Sequence, residues 1–304
     1  MGFSKLKNDL MNSPKRSVTV AWGLDEGVLF ACRQALDQGF LHEVIVTGPT
    51  DRIEAIAAEQ KLSLEGFSLE AASTPEEGAS LAVSLIRQGK SDMLMKGNLS
   101  TSVILRAVLH KEQGIRAQAL LSHIATLELP DGRLVLLTDA AMNVKPDLAQ
   151  KAQILDNAIQ FAWSIGIPNP KVAVLASVET VNPQMQDTID AACLAVMGRR
   201  GQFSKPAIVD GPLAFDNAYS KEAAIHKGIQ SDVAGEADIF MVQELTAANL
   251  LYKSLAFVGG LSVAGLIFGA TCPIVLTSRA DSPESKLNAI ALSCKALGGA
   301  GNGR

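Results

Sequence analysis

The stretch that decides the fold lies near the C-terminus, where a short apolar run ends in polar side chains. Its sequence is Pro273-Ile274-Val275-Leu276-Thr277-Ser278-Arg279-Ala280-Asp281-Ser282. In an α/β protein, such a run is a buried strand that delivers polar groups to a crevice beyond its carboxyl end. Arg279 carries a planar fork of donors suited to phosphate, and Ser278 can donate a hydrogen bond to the same ligand. The other interpretation is a strand followed by a helix, with Ser282 or Asp281 as its N-cap and Arg279 in solvent.

Strands and helices alternate along the rest of the chain. Strands are predicted at 17–22, 43–48, 92–95, 133–139, 171–177 and 238–242, and helices at 28–38, 52–60, 74–87 and 147–165. Strands separated by helices favour parallel pairing and right-handed crossovers. The chain has 304 residues, of which 48% are hydrophobic and 19% charged, so it can fill two apolar cores. The sequence therefore predicts a two-domain α/β fold with mainly parallel sheets and flanking helices.

Composition and charge exclude several classes of function. The net charge of -4 and the lack of a basic tract argue against a nucleic-acid partner. The stretch between Lys253 and Arg279 carries no charge and is long enough to span a bilayer, but its glycines and Pro273 divide it. We therefore expect a buried helix–turn–strand there and no membrane span. The N-terminus has no apolar signal segment, which favours the cytoplasm.

The cysteines and histidines form no pattern typical of a metal site. The cysteines are scattered without a CxxC pair, at Cys32, Cys193, Cys272 and Cys294. We expect all four to be buried, reduced thiols. Asp210 and Asp216 stand six residues apart around a Gly-Pro turn, and they can flank a ligand or cap their own loop. Without a nearby histidine or third acid they do not predict a metal site.

A second segment that can hold an anion follows the strand at 92–95. Its sequence is Met95-Lys96-Gly97-Asn98-Leu99-Ser100-Thr101-Ser102. A glycine after a strand lets the backbone approach a ligand, and a helix start exposes N–H donors. Lys96 adds a positive charge, Thr101 adds a hydroxyl, and Arg106 lies about one to two turns further along the helix. The alternative is a capped helix whose serines only satisfy backbone donors, with Arg106 at the surface.

Taken in order, these segments resemble the phosphate acetyl/butyryltransferase family, and most closely its phosphate butyryltransferase branch. The matching segments are Asp92 to Gly97 with Thr101 and Arg106, Asp139 to Asn143 with Pro146, Asp210 to Leu213 with Asp216, Val233 to Asp238, Asn249 to Lys253, and Leu276 to Arg279. No one of them is decisive, but together in register they are specific.

The resemblance implies a fold like that of isocitrate and isopropylmalate dehydrogenases. One domain would comprise residues 1–116 plus 263–304, the other residues 117–262, with the active cleft between them. The implied reaction is reversible transfer of a short-chain acyl group (butyryl, acetyl or branched) between coenzyme A and inorganic phosphate, giving an acyl phosphate. Acyl-CoA and phosphate would be the partners of a homodimer that needs no metal and no tightly bound cofactor.

The resemblance also implies roles for individual residues. Arg279 and Arg106 would bind the phosphate, with Lys96 and Thr101 beside them. Ser278 would stabilise charge on the carbonyl oxygen or orient the thiol. In the acetyltransferases an aspartate serves as the proposed thiol base, but Ser285 stands at that position here.

The role of thiol base therefore passes to Asp281 or Glu284, or is absent. Since a free thiol has a pKa of about 8.5, its deprotonation needs only modest help.

Two other functions are compatible with the same segments. A metal- and NAD-dependent oxidoreductase acting on a 2-hydroxy acid would need clustered aspartates and a run of arginines, which Asp210 and Asp216 alone do not supply. A noncatalytic protein that binds an anionic metabolite would keep the arginines but show no thiol-dependent turnover. An assay for phosphate-dependent thiol release separates the three.

Overall fold

The computed structural model describes residues 1–278 and 281–299 as alternating strands and helices. The strands are β1 (Arg16–Ala21), β2 (Leu41–Gly48), β3 (Phe67–Ala71), β4 (Met93–Lys96), β5 (Ser122–Glu128), β6 (Leu134–Thr138), β7 (Lys171–Leu175), β8 (Ile208–Leu213), β9 (Ile239–Met241), β10 (Val263–Phe268) and β11 (Ile274–Val275). The helices are α1 (Phe3–Leu10), α2 (Glu26–Asp37), α3 (Thr50–Glu59), α4 (Pro75–Arg87), α5 (Thr101–Val108), α6 (Leu148–Ser164), α7 (Gln186–Arg199), α8 (Phe215–Tyr219), α9 (Lys221–His226), α10 (Leu245–Lys253) and α11 (Pro283–Gly299).

The chain divides into two compact units. The first unit comprises Gly2–Ala119 and the C-terminal part of the chain from Ala264, and the second unit comprises Leu120–Val263. The boundaries expected from the sequence fall after residues 116 and 262. The first unit is thus built from the beginning and the end of the chain.

Parallel strands dominate the sheet of each unit, which confirms the predicted α/β class. In the first unit the order is β3-β2-β1-β4-β11-β10, with only β10 and β11 antiparallel. In the second unit the order is β5-β6-β9-β7-β8, with only β5 and β6 antiparallel. Strands such as β4 and β6 are buried along their whole length, as expected of strands covered on both faces.

Local sequence explains where the predicted helices begin. Helix α4 has Pro75 in its first turn, and its N-cap Thr74 accepts a hydrogen bond from the Glu77 amide. Helix α6 begins after Asp147, which forms a capping box with Gln150. These caps satisfy amides that a helix start leaves without an intrahelical partner, so both helices begin where the sequence predicts.

The segment that precedes β11 differs from its prediction. A buried helix–turn–strand was expected, but α10 continues into a π-helical turn, Ser254–Val258, whose residues are not buried. The chain then forms β10, which pairs with β11 in antiparallel register, Leu266 opposite Val275. Glycines break the apolar run at the places where the chain turns, so it makes two strands. Among the described residues, no helix is long and apolar enough to cross a membrane.

Candidate active site

The sheet of the first unit has its topological switch point between β1 and β4. From β1 the chain proceeds to β2 and β3 on one side, and β4 then returns to the other side of β1. Ligands of open α/β sheets bind in the crevice beyond the carboxyl ends of the strands at such a point. Ala21, at the end of β1, lies opposite Lys96, at the end of β4. The sheet therefore places Lys96 at the edge where a ligand is expected.

The loops that follow β1 and β4 are joined by their backbones. The Gly97 amide donates to Ala21 O at 2.9 Å, and the Asn98 amide donates to Trp22 O at 2.8 Å. A Cβ atom at Gly97 would lie 2.2 Å from Trp22 O, closer than any side chain permits. Glycine is thus required at position 97 because the two loops approach so closely. This contact was not predicted from the sequence.

The side chain of Lys96 is buried, with 7% of its surface exposed. Its Nζ donates to the Gly97 carbonyl at 3.3 Å. Burial of an ammonium is costly unless polar or anionic groups compensate its charge. Lys96 therefore brings a positive charge to the carboxyl edge of β4.

Helix α5 begins beside this edge. Ser100 is its N-cap: the Oγ accepts from the Val103 amide at 3.3 Å and lies 2.9 Å from the Ser102 Oγ. The capped-helix interpretation is therefore correct for Ser100. Thr101 is the first residue of α5 and half-buried, whereas Arg106 is exposed in its last turn. Arg106 forms no ion pair with the described residues.

Strand β11 carries Ser278 to the same edge of the sheet. Val275 lies opposite Met95 in parallel register, so the residues after β11 leave the sheet next to Lys96. Ser278 is exposed, and its amide donates to Asp281 Oδ2 at 2.7 Å, while the Asp281 amide donates to Ser278 O at 3.1 Å. Ser278 and Asp281 are thus joined by two hydrogen bonds, and this hydrogen-bonded pair is called the Ser278 turn below. Arg279, the predicted phosphate ligand, lies outside the described residues.

The remaining candidate, Glu284, lies in the first turn of α11. Its exposed carboxylate is 3.6 Å from the ammonium of Lys7 on α1. Ser282 caps this helix, because its Oγ accepts from the Ser285 amide at 3.1 Å. Of the two caps considered from the sequence, Ser282 is the one that accepts this bond.

Lys286 is a further polar residue of this region that sequence analysis missed. Its side chain is 3% exposed, and its Nζ donates to the Asp281 carbonyl at 2.7 Å. A lysine inside a helix is normally in solvent, and only its apolar neighbours, Leu287 and Ile290, signal that this side of α11 is covered.

Both residues of the acidic pair in the second unit have partners close by in the chain. Asp210 Oδ1 accepts from the Gly211 amide at 2.9 Å, as a loop-capping aspartate does. Asp216 is 3.1 Å from the Lys227 ammonium, and this hydrogen bond lowers the pKa of the Asp216 carboxyl. Within residues 1–278 and 281–299, no group of three or more His, Cys, Asp or Glu side chains could hold a metal ion.

A cavity of about 910 Å³ lies within the second unit, at the carboxyl ends of β7 and β9. Two of its lining residues, Lys151 and Asp190, form an ion pair in which Nζ and Oδ2 are 2.6 Å apart. Lys151 also donates to Gln243 Oε1 at 3.2 Å, and Leu148 and Phe215 are among the apolar lining residues. The candidate residues for the phosphate site belong to the first unit, and neither they nor Asp210 and Asp216 of the second unit line this cavity.

The cysteines are free thiols, as predicted, but only three are buried. Burial raises the pKa of Cys32, Cys272 and Cys294 to about 12. Cys193 is half-buried because it lines the cavity of the second unit, so the prediction of burial is wrong for this residue.

Comparison with known proteins identifies the family. Residues 70–294 match the family described as "Phosphate acetyl/butaryl transferase". The chain is 47% identical over 281 residues to the "Probable phosphate butyryltransferase" of Bacillus subtilis (strain 168), with 91% of this chain and 92% of that protein covered.

Solved structures agree with this assignment. The crystal structure of a branched-chain phosphotransacylase from Enterococcus faecalis V583 is similar with a TM-score of 0.84 and 32% identity, covering 93% of this chain and 99% of the other. A 4-hydroxythreonine-4-phosphate dehydrogenase from Klebsiella pneumoniae has a TM-score of 0.55 at 13% identity, covering 93% of this chain and 100% of the other, which shows a shared fold alone. The expected likeness to a dehydrogenase fold is thus confirmed. The match over most of the length, together with the identity to a named relative, establishes that this chain is an enzyme of the phosphate acetyl/butyryltransferase family.

Proposed function

We propose that this enzyme transfers a short-chain acyl group reversibly between coenzyme A and inorganic phosphate, giving an acyl phosphate. The observation that carries the proposal is the meeting of the Lys96 and Ser278 segments at the carboxyl ends of two neighbouring parallel strands, in a chain of this family. The names of the relatives, a butyryltransferase and a branched-chain phosphotransacylase, support butyryl or a branched acyl group as substrate.

The phosphate would be held by cationic groups and by a helix start. Arg279 and Arg106 each offer a fork of N–H donors that matches phosphate oxygens, and Lys96 adds a point charge. Thr101 would contribute its hydroxyl together with the N–H groups in the first turn of α5. The positive charge of these side chains makes phosphate a better leaving group when acyl phosphate is the acyl donor.

The acyl transfer itself would take place at Ser278. The thiolate of coenzyme A attacks the carbonyl carbon of the acyl phosphate, a C–S bond forms, and the C–O bond to phosphate breaks as phosphate departs. Ser278 would donate its hydroxyl hydrogen to the carbonyl oxygen as negative charge develops there. Holding both reactants in place lowers the barrier further, by up to about 7–11 kcal/mol for well-oriented reactants.

Deprotonation of the thiol would depend little on a dedicated base. One carboxylate oxygen of Asp281 accepts a hydrogen bond from the Ser278 amide, which supports a role in holding the turn. Glu284 is paired with Lys7 at the surface, which supports a structural role. A thiol with a pKa of about 8.5 is partly ionised near neutral pH without help.

The remaining expectations belong to the same proposal. The enzyme would work as a homodimer in the cytoplasm and would need no metal and no tightly bound cofactor. Sedimentation equilibrium of the purified chain tests the dimer, since the mass must be twice the 32.0 kDa of one chain.

The activity is tested by following thiol release from butyryl-CoA with a chromogenic thiol reagent, with and without phosphate. Three of the four cysteines have a pKa of about 12, so the protein's own background comes from Cys193. A Cys193→Ser variant removes this background and serves as the reference enzyme.

Phosphate-dependent release is the expected result. Its absence with butyryl-, acetyl- and branched acyl-CoA refutes the proposal. Reduction of NAD in the presence of Mg²⁺ and a 2-hydroxy acid would instead indicate the oxidoreductase. Tight phosphate binding without either turnover would indicate the binding protein. Within the proposal, Arg279→Ala should weaken phosphate use while leaving unfolding unchanged.

A further inference from the structure

Lys286 carries a buried charge that the described residues do not neutralise. Its side chain is 3% exposed, and the chain described in residues 1–278 and 281–299 provides it with no ion pair. An ammonium has three N–H donors, but its one hydrogen bond here goes to the Asp281 carbonyl. Burying a charge without a counter-ion costs several kcal/mol in general, so a lysine at such a site is a candidate for a functional role.

The ammonium of Lys286 lies beside the N-terminus of α2. A Cβ atom built on Gly27 would lie 3.4 Å from Lys286 Nζ, which places the ammonium against the first turn of α2. A helix N-terminus carries partial positive charge, so it does not stabilise a cation. The Asp25 carboxylate also lies close by, with Oδ1 3.3 Å from the same Cβ position, but it forms no ion pair with Lys286, and this Oδ1 accepts from the Val28 amide.

The hydrogen bonds of Lys286 lead directly to Ser278. Nζ donates to the Asp281 carbonyl at 2.7 Å, and Asp281 Oδ2 accepts from the Ser278 amide at 2.7 Å. Lys286 therefore holds Asp281, the residue whose carboxylate accepts from the Ser278 amide. Because α11 packs against α2, the ammonium is held in place by two helices rather than by the turn alone.

We propose that Lys286 is a positioning residue of the phosphate site: its ammonium holds the Ser278 turn and supplies positive charge next to it. This inference rests on the proposed function. Lys286 adds to the buried charge of Lys96, so the carboxyl edge of this sheet carries two buried ammonium groups. The positive charge that Lys286 adds beside this turn suits an anionic substrate such as phosphate.

The test compares Lys286→Met with Lys7→Met as a matched control. Methionine preserves the length of the side chain but removes the charge and the donors. Lys7 pairs with Glu284 on the same helix, so the control changes the same residue type near the same segment without touching the turn. Initial rates are measured against phosphate at saturating butyryl-CoA, and against butyryl-CoA at saturating phosphate.

In Lys286→Met, we expect kcat/KM for phosphate to fall about 10- to 100-fold, as for loss of a charge-assisted interaction, with KM for butyryl-CoA unchanged. Lys7→Met should behave as wild type. The unfolding midpoint of Lys286→Met in urea should equal or exceed that of wild type, because an uncompensated charge leaves the interior. The inference is overturned if Lys286→Met keeps the wild-type kcat/KM for phosphate. It is also overturned if the urea midpoint of Lys286→Met falls while kcat/KM for phosphate and for butyryl-CoA change equally.

Two further measurements separate this inference from the proposed function. In Lys286→Ala, added ethylammonium should restore part of the phosphate-dependent rate, which a merely structural loss would not allow. Inorganic phosphate alone should raise the melting temperature of wild type but not that of Lys286→Met. If wild type shows no turnover, the proposed function fails, yet a phosphate-induced shift that requires Lys286 still supports the inference. An equal shift in both proteins contradicts it.

Discussion

Lys151 and Asp190 form a buried ion pair in the second unit, with Nζ 2.6 Å from Oδ2. Gln243 accepts a second hydrogen bond from Lys151, and Gln186 donates to the other oxygen of Asp190 at 2.8 Å. Such a pair is sensitive to the loss of one partner, because the other charge is then left unpaired away from water.

Replacing only Lys151 by methionine should therefore destabilise the second unit by about 3–5 kcal/mol. The double variant Lys151→Met/Asp190→Leu should recover most of this loss, since two apolar side chains replace two charges. Urea unfolding followed by circular dichroism measures both. Lys145→Met is the control, because Lys145 is an exposed residue of the same cavity. An equal midpoint for Lys151→Met and wild type would contradict the prediction.

Gly97→Ala should separate the loops that follow β1 and β4. The added methyl group would lie 2.2 Å from Trp22 O, so one loop must move and the bond from the Gly97 amide to Ala21 O is strained. We expect a loss of about 1–3 kcal/mol in the free energy of unfolding and weaker phosphate use. Gly298→Ala is the control, because a Cβ there meets no atom within 4 Å. The prediction is wrong if both variants unfold at the same urea concentration.

Two substitutions at Asp281 distinguish a thiol base from a turn residue. An asparagine retains an oxygen that can accept from the Ser278 amide, so Asp281→Asn should keep most of the activity. Asp281→Ala leaves that amide without its acceptor and should lower kcat. Steady-state rates with butyryl-CoA and phosphate measure the difference. Equal loss in both variants would instead assign the base to Asp281.

Acid should weaken the second unit in part through Glu236. Hydrogen bonds from Lys171, and from Lys221 at 2.6 Å, lower the pKa of Glu236 from 4.5 to about 2. Because the folded pKa is depressed, the carboxylate stabilises the fold above pH 4.5, and this contribution disappears as the pH falls towards 2.

Glu236→Gln should accordingly show a shallower loss of stability than wild type over this pH range. The difference should shrink in high salt, because these side chains are partly exposed. Thermal unfolding as a function of pH measures the effect. Glu222→Gln, which removes an exposed acid of α9, serves as the control. Parallel pH profiles for wild type and Glu236→Gln would rule out the contribution.

The sequence predicted the elements whose local signals and burial agree. Strands such as β1 and β4 are rich in apolar residues and buried along almost their whole length, and α4 carries its N-cap and its proline. Strand β3 was not predicted because it is only partly buried and its apolar residues alternate with polar ones. Helix α7 was missed because its apolar residues do not gather on one face of the sequence pattern.

The candidate site was predictable only where polar residues follow an apolar run. Lys96 and Ser278 could be found in this way, because Lys96 ends the buried strand β4 and Ser278 follows the buried strand β11 by three residues. Lys286 could not, since its burial depends on the packing of α11 against α2, which involves residues far apart in the chain. The hydrogen bond from the Ser278 amide to Asp281 could not be predicted either, because an aspartate near a helix start is usually interpreted as an N-cap.

Because the first unit is assembled from both ends of the chain, its sheet is completed last during synthesis. Strand β4 borders β1 on one side and β11 on the other, and β11 begins only at Ile274. Until the ribosome has made the last part of the chain, β4 is an open edge able to pair with other chains. A polypeptide that ends before Ile274 therefore lacks Ser278 and also exposes an aggregation-prone strand, so such a truncation should lower the yield of soluble protein as well as its activity.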